Sequence, residues 1–199
     1  AVGEQVATIL DVMGHPLSLD VAQCLYSSLL ADTGGFRYGN TSARAFRLAA
    51  RLVEAGVDPW QMTERVYESQ DAARMRLLGK VLSSMWLSPC GRAGIIEVSA
   101  HDMSQLGARD EHVQGLVNHV RGIKGVEVAV LLRELPGGTN VVMRSRGNIA
   151  AGPIATALGG RGHKNAATFT LDTDLVETRR RVVEAVLAAL PDESAHSVM

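Results

Sequence analysis

Apolar positions recur at helical spacing from the first residues to about Met85, and only afterwards shorten to the rhythm of strands. Residues 4–13 place Val6, Ile9, Leu10 and Met13 on one helical face, and Gly14-His15-Pro16 ends that helix. Ser18 stands where an N-cap belongs, ahead of Ala22, Leu25, Tyr26 and Leu29 at helical intervals. Thr41 is positioned to cap a third helix that reaches Ala55, with Ala45, Leu48, Ala49 and Leu52 inward and Gly56 just past its end. Asp58-Pro59 reads as N-cap plus first helical residue of a helix to about Ser69. A further helix, from about Asp71 to Met85, carries Met75, Leu78, Val81 and Leu82.

The break Ser88-Pro89-Cys90-Gly91-Arg92 marks the expected boundary, giving a helical part over 1–88 and a second part over 89–199. Gly94 to Ser99 predicts a short strand, Asp110 to Gly122 a helix, and Val126 to Leu135 a strand rich in Val and Leu. Pro136-Gly137-Gly138 predicts a hairpin turn into a strand over Asn140 to Arg146. A short helix from Ile149 to Leu158, a strand from Ala166 to Leu171 and a helix from Asp174 to Leu190 complete the order β-α-β-β-α-β-α. The expected class is α+β, a mixed sheet covered by helices, behind an all-helical segment. Residues 191–199 read as a frayed tail. His112 and His119, seven apart, read as surface residues of the helix over 110–122, and Arg179, Arg180 and Arg181 as a solvated helix face.

Composition narrows the partners. A hydrophobic fraction of 46% in 199 residues is enough for a real core, and a formal net charge of -1 argues against a broad basic surface that coats long nucleic acid. It leaves room for a local basic pocket. Cys24 and Cys90 make no metal or disulfide pattern and fit a reducing, cytoplasmic setting. No apolar run approaches the roughly 20 residues that span a bilayer.

Two stretches carry chemistry. Gly159-Gly160-Arg161-Gly162-His163-Lys164-Asn165-Ala166-Ala167 combines glycines, which let a backbone come close to a ligand, with an imidazole and an ammonium. Arg144-Ser145-Arg146 lies just upstream at the end of a strand, and the set points to a site for an anion such as phosphate. The plainer reading is a tight helix-to-strand turn, with His163 capping the last carbonyls of the helix before it. The second stretch is Asp32-Thr33-Gly34-Gly35-Phe36-Arg37-Tyr38-Gly39-Asn40-Thr41. Its carboxylate either binds a metal ion or caps local backbone.

Together these stretches resemble the DHH phosphoesterase superfamily. Asp32-Thr33-Gly34-Gly35-Phe36-Arg37 with Asn40-Thr41 is similar to its fourth motif. Arg144-Ser145-Arg146-Gly147 and the Gly159–Ala167 loop are similar to the Arg-Ser element and glycine-rich His loop of the associated DHHA1 domain. The nearest subgroup resembled is the nanoRNase enzymes, oligoribonucleases that also act as pAp phosphatases. The resemblance implies the end of a DHH domain followed by a DHHA1 substrate-binding domain, in a manganese-dependent hydrolase of short oligoribonucleotides, pAp, or cyclic or linear di-AMP. It implies Asp32 as a metal ligand and His163 as a group that hydrogen-bonds the substrate phosphate. Substrate contacts are implied for Arg144, Ser145, Arg146, Gly159, Gly160, Arg161, Gly162 and Lys164, and a homodimer through the helical region.

The sequence departs from the family in three ways. No Asp-His-His occurs, so the metal ligands of the first three motifs are missing and the chain reads as a C-terminal portion, truncated or naturally short, and inactive alone. Arg161 replaces a glycine of the loop, which would strain it if that position needs φ > 0. Thr168 and Phe169 follow the alanines where a glycine is usual. The rival function is a non-catalytic nucleotide- or RNA-binding module that keeps the phosphate loop.

Overall fold

A computed structural model describes residues 2–190; the tail expected over 191–199 lies outside the described residues. The chain divides between Gln70 and Asp71 into two compact units. The division falls before the break at Ser88 because the helix between them buries its apolar face in the second unit.

The first unit is helical: α1 (Val2–Val12), α2 (Leu19–Thr33), α3 (Ala43–Glu54), α4 (Pro59–Thr63), and a π-helical turn over Glu64–Glu68. Ser18 caps α2 by accepting from the Val21 amide. Ser42, and not Thr41, caps α3, accepting from Ala45 at 3.1 Å. Asp58 caps α4 through the amides of Trp60 and Gln61, with Pro59 at the first turn where its missing N–H costs nothing. Ala22, Leu25, Tyr26 and Leu29 of α2 and Ala45, Leu48, Ala49 and Leu52 of α3 are all buried, as their spacing predicts. The first helix differs. Its packed side is made by Gly3 and Ala7, and Gly3 lies so close to α2 that a Cβ there would sit 3.1 Å from the Leu25 carbonyl oxygen. Small residues allow this approach, so Val6, Ile9 and Met13 turn away and are exposed among the described residues.

The second unit is a five-stranded mixed sheet with helices on both faces. Its elements are α5 (Ala72–Ser83), β1 (Trp86–Leu87), β2 (Ala93–Val98), α6 (Ala100–Gln105), α7 (Asp110–Val113), α8 (Val117–Arg121), β3 (Val128–Leu135), β4 (Gly138–Ser145), α9 (Ala151–Ala157), β5 (Ala166–Leu171) and α10 (Leu175–Ala189). The strands lie in chain order, β2 and β3 parallel and every other pair antiparallel. β3 is buried on both faces. Val128, Val130 and Leu132 pack with Ile154 of α9 and with Val182 and Val186 of α10, whereas Ala129 and Leu131 pack with Leu77 and Val81 of α5 and Val120 of α8. Each such Val or Leu contributes roughly 1.5–3 kcal/mol by leaving water.

Two expectations change here. The helix expected over 110–122 is two short ones, because Gly115 adopts φ +79° between them. That break also separates the histidines. His112 is buried, with Nδ1 accepting from the Arg109 amide at 3.1 Å and Nε2 3.5 Å from the Asp71 carboxylate, whereas His119 stays exposed. α6 was not expected, although Ser99 and Asp102 form a reciprocal capping box at its start.

Candidate functional site

The loop between α9 and β5 is set by two close approaches. Two residues past the end of α9 stands Gly159, φ +84°, whose amide bonds the Thr156 carbonyl while that of Gly160 bonds Ala155. Gly160 then lies against the Phe169 ring, where a Cβ would stand 2.3 Å from the ring. Gly162 forms a bridge with Ala167, and a Cβ there would stand 2.4 Å from the Ala167 methyl. The chain between them is thus pinned to β5. Arg161 does not take a positive φ; the only described side-chain-bearing residue that does is Phe36, at +64°.

This pinning brings four sequence-selected residues to one cavity of about 470 Å³. It is lined by Arg144, Arg161, Gly162 and His163, with Ala166, Ala167 and Thr168. Arg144 reaches it from β4, opposite Ala166 in register, with Nη1 donating to the Met143 carbonyl at 2.9 Å. The His163 backbone is fixed by its amide donating to Ala166 at 2.8 Å. Its ring is exposed and makes no hydrogen bond among the described residues, so it does not cap α9. Two guanidiniums and an unengaged imidazole around an open volume can hold a phosphate through charge-assisted hydrogen bonds.

The other selected residues hold the frame. The Ser145 hydroxyl is buried and donates to the Lys164 carbonyl at 3.1 Å, and that carbonyl also accepts from Ala151. The Arg146 guanidinium donates to the backbone carbonyls of Val126 and Ile123. Gly159 and Gly160 shape the turn without lining the cavity, and the Lys164 side chain is exposed. Thr168 is the residue of this cavity that sequence reasoning passed over as a site group. The alternation of β5 puts it two residues from Ala166 on the same side, and that was the available signal.

Asp32 lies in the last turn of α2 in the first unit. One carboxylate oxygen accepts from the Val2 amide at 2.7 Å, and Asn40 donates to its backbone carbonyl at 2.9 Å. The carboxylate therefore caps backbone, that of α1. Among the described residues no three His, Cys, Asp or Glu side chains stand together as a metal site. These residues alone do not fit the pair of ions that the resemblance implies.

Residues 95–190 match the DHHA1 domain model. Over 187 residues the chain is 35% identical to the bifunctional oligoribonuclease and PAP phosphatase NrnA of Thermus thermophilus, which covers 94% of this chain and 56% of that protein. Residues 95–190 belong to the DHHA1 family. A second relative, NrnA of Bacillus subtilis, is 24% identical over 154 residues, 77% of this chain and 48% of its own length. The fold of this DHHA1-containing chain matches the crystal structure of an exopolyphosphatase-related protein from Bacteroides fragilis. The TM-score is 0.88 at 25% identity, covering 94% of this chain and 56% of that one. The chain spans about half the length of the curated relatives it matches.

Proposed function

We propose that this chain is the substrate-holding portion of a phosphoesterase acting on short oligoribonucleotides, pAp, or cyclic or linear di-AMP. The observation that carries the reading is the single cavity shared by Arg144, Arg161 and His163, in a chain 35% identical to an oligoribonuclease and PAP phosphatase. In this reading the two arginines neutralise the phosphate, which excludes neutral ligands, and the His163 ring donates to a phosphate oxygen near the scissile bond. Gly162 keeps the loop low enough for the ligand to reach β5. Arg146 and Ser145 act by holding the ends of β4 and the loop. Asp32 would contribute one hard-oxygen ligand to a manganese site that the described residues do not complete. Such an enzyme works in the cytoplasm, in keeping with two free thiols, and as a homodimer through its helical unit.

The lack of a three-ligand cluster among the described residues favours one alternative, a nucleotide-binding module without turnover in this chain. Titration of pApA, followed by an assay of its hydrolysis with and without Mn²⁺, tests the binding that both readings share and the lack of turnover that both expect of this chain. Binding without turnover fits a substrate-holding portion that lacks a complete metal site. Turnover by this chain means that it assembles a metal site without the missing motifs. No binding at all refutes the phosphate-loop assignment.

A further inference from the structure

The first unit contains a second cavity, of about 500 Å³, lined by Tyr26, Leu30, Gly35, Phe36, Arg37, Thr63 and Tyr67. Its volume lies within the range of small-ligand sites. Three aromatic rings form its walls. Phe36 is held by Tyr26 edge-on at 6.5 Å and by Phe46 stacked at 5.1 Å. Phe36 also carries the strained backbone noted above, fixed by its amide donating to the Thr33 hydroxyl at 3.0 Å. Left-handed residues bearing a large side chain cost free energy and gather at ligand clamps. Tyr67 is presented by the π-helical turn Glu64–Glu68, another irregularity common at functional sites.

The polar groups at this cavity are incompletely used. Arg37 spends its Nε on the Gly34 carbonyl at 2.7 Å and stands 6.0 Å from the Tyr67 ring centre, while its two terminal nitrogens make no hydrogen bond among the described residues. Tyr26 is 5% exposed, and its hydroxyl has no hydrogen-bond partner among the described residues. The hydroxyl itself is not sealed from solvent, so it is open to an incoming group at the cavity. Thr63 donates to the Pro59 carbonyl and keeps its lone pairs for an incoming donor.

We infer that this cavity is a binding site for a planar heteroaromatic ring carrying an anionic group, a nucleoside monophosphate unit. The aromatic walls take the base, the Tyr26 and Thr63 hydroxyls meet its polar edge, and the free guanidinium nitrogens of Arg37 meet the phosphate. That the ring is a nucleobase rests on the nucleotide reading of the DHHA1 cavity; the aromatic and anionic character of the ligand does not.

The test removes the DHHA1 cavity first. In an Arg144→Ala/His163→Ala chain, calorimetric titration with AMP is expected to show residual binding. Adding Arg37→Ala weakens it about tenfold or more, as expected for loss of a charge-assisted contact. Adding Tyr26→Phe instead weakens it several-fold without lowering the melting temperature, because the hydroxyl has no partner among the described residues. Ribose 5-phosphate, which has the phosphate but no base, does not bind this chain. The inference fails if AMP does not bind the double variant, if neither added substitution changes its affinity, or if ribose 5-phosphate binds as tightly as AMP. The DHHA1 reading fails separately, if pApA binds the parent and His163→Ala chains equally.

Discussion

Gly160→Ala is a sharp test of how the phosphate loop is built. The substitution adds one methyl group, and the residue does not need a positive φ, so backbone conformation is not at issue. The obstacle is Phe169, whose Cγ would lie 2.3 Å from the new carbon, with both Cδ atoms within 2.7 Å. Cγ adjoins the β5 backbone and cannot swing aside as a chain end would, so either the ring leaves its rotamer or the loop lifts from the strand. Overpacking of this kind costs about 1–3 kcal/mol. In a chain of this size each kcal/mol lowers the melting temperature by about 2–4 °C, so a fall of roughly 2–12 °C is expected in differential scanning calorimetry. Gly39→Ala is the control, since nothing lies within 4 Å of its added carbon, and it should melt with the parent. Phe169→Leu in the Gly160→Ala background should recover part of the loss, with a coupling of about 0.5–3 kcal/mol in the double-mutant cycle. A Gly160→Ala chain that melts within about a degree of the parent and binds pApA equally well would refute this account of the loop.

Other substitutions probe other parts of the molecule. Gly79 lies mid-helix in α5, exposed and with nothing within 4 Å, so Gly79→Ala should stabilise the chain by about 0.5–1 kcal/mol in urea denaturation. His163→Ala should weaken pApA binding about tenfold or more, whereas Arg180→Ala, whose guanidinium is engaged with Glu177 and Glu184 on the exposed face of α10, should leave it unchanged. Equal losses would remove the imidazole from the site. The Asp71 carboxyl is held below its ordinary value first by the Ala73 amide that it caps, then by His112 and Arg109. A depressed folded-state value means that its stabilisation is present above about pH 4 and is lost as the pH falls further. Asp71→Asn keeps the cap and removes the charge, so it should be less stable at neutral pH and show a shallower acid limb in melting temperature against pH. An unchanged acid limb would refute the role given to Asp71.

Much of this architecture is legible from residue spacing. α2 and α3 bury the residues that their 3.6-residue period selects, and Asp58-Pro59 starts α4 as the chemistry of helix ends requires. The strands β3, β4 and β5 follow from Val-rich alternation and the Pro136-Gly137 turn. What spacing did not reveal depends on neighbours distant in sequence. The inward side of α1 is chosen by how closely Gly3 can approach α2, which an apolar count cannot register. His112 is buried because it binds the Arg109 amide behind the break at Gly115, and a glycine inside an apolar period does not announce a break. At the candidate site, the glycines and His163 were legible as a loop, and Arg144 as its partner. The diversion of Arg146 to the carbonyls of Val126 and Ile123 was not, since one residue past the strand end decides it.

Because the strands of the sheet lie side by side in the order in which they occur along the chain, its assembly runs outward from one hairpin. β3 and β4 are joined by two residues, Pro136 and Gly137, and close with little loop entropy. β2 must wait for the whole α6–α8 crossover, and β5 for α9 and the glycine loop. On this loop-entropy argument Arg144 is laid down in the first event, and Arg161, Gly162 and His163 reach it only afterwards, when Ala166 and Ala167 pair with β4. Ligand competence is therefore expected to follow, not accompany, closure of the β3–β4 hairpin. In refolding followed at once by backbone circular dichroism and by nucleotide binding, the binding signal should lag.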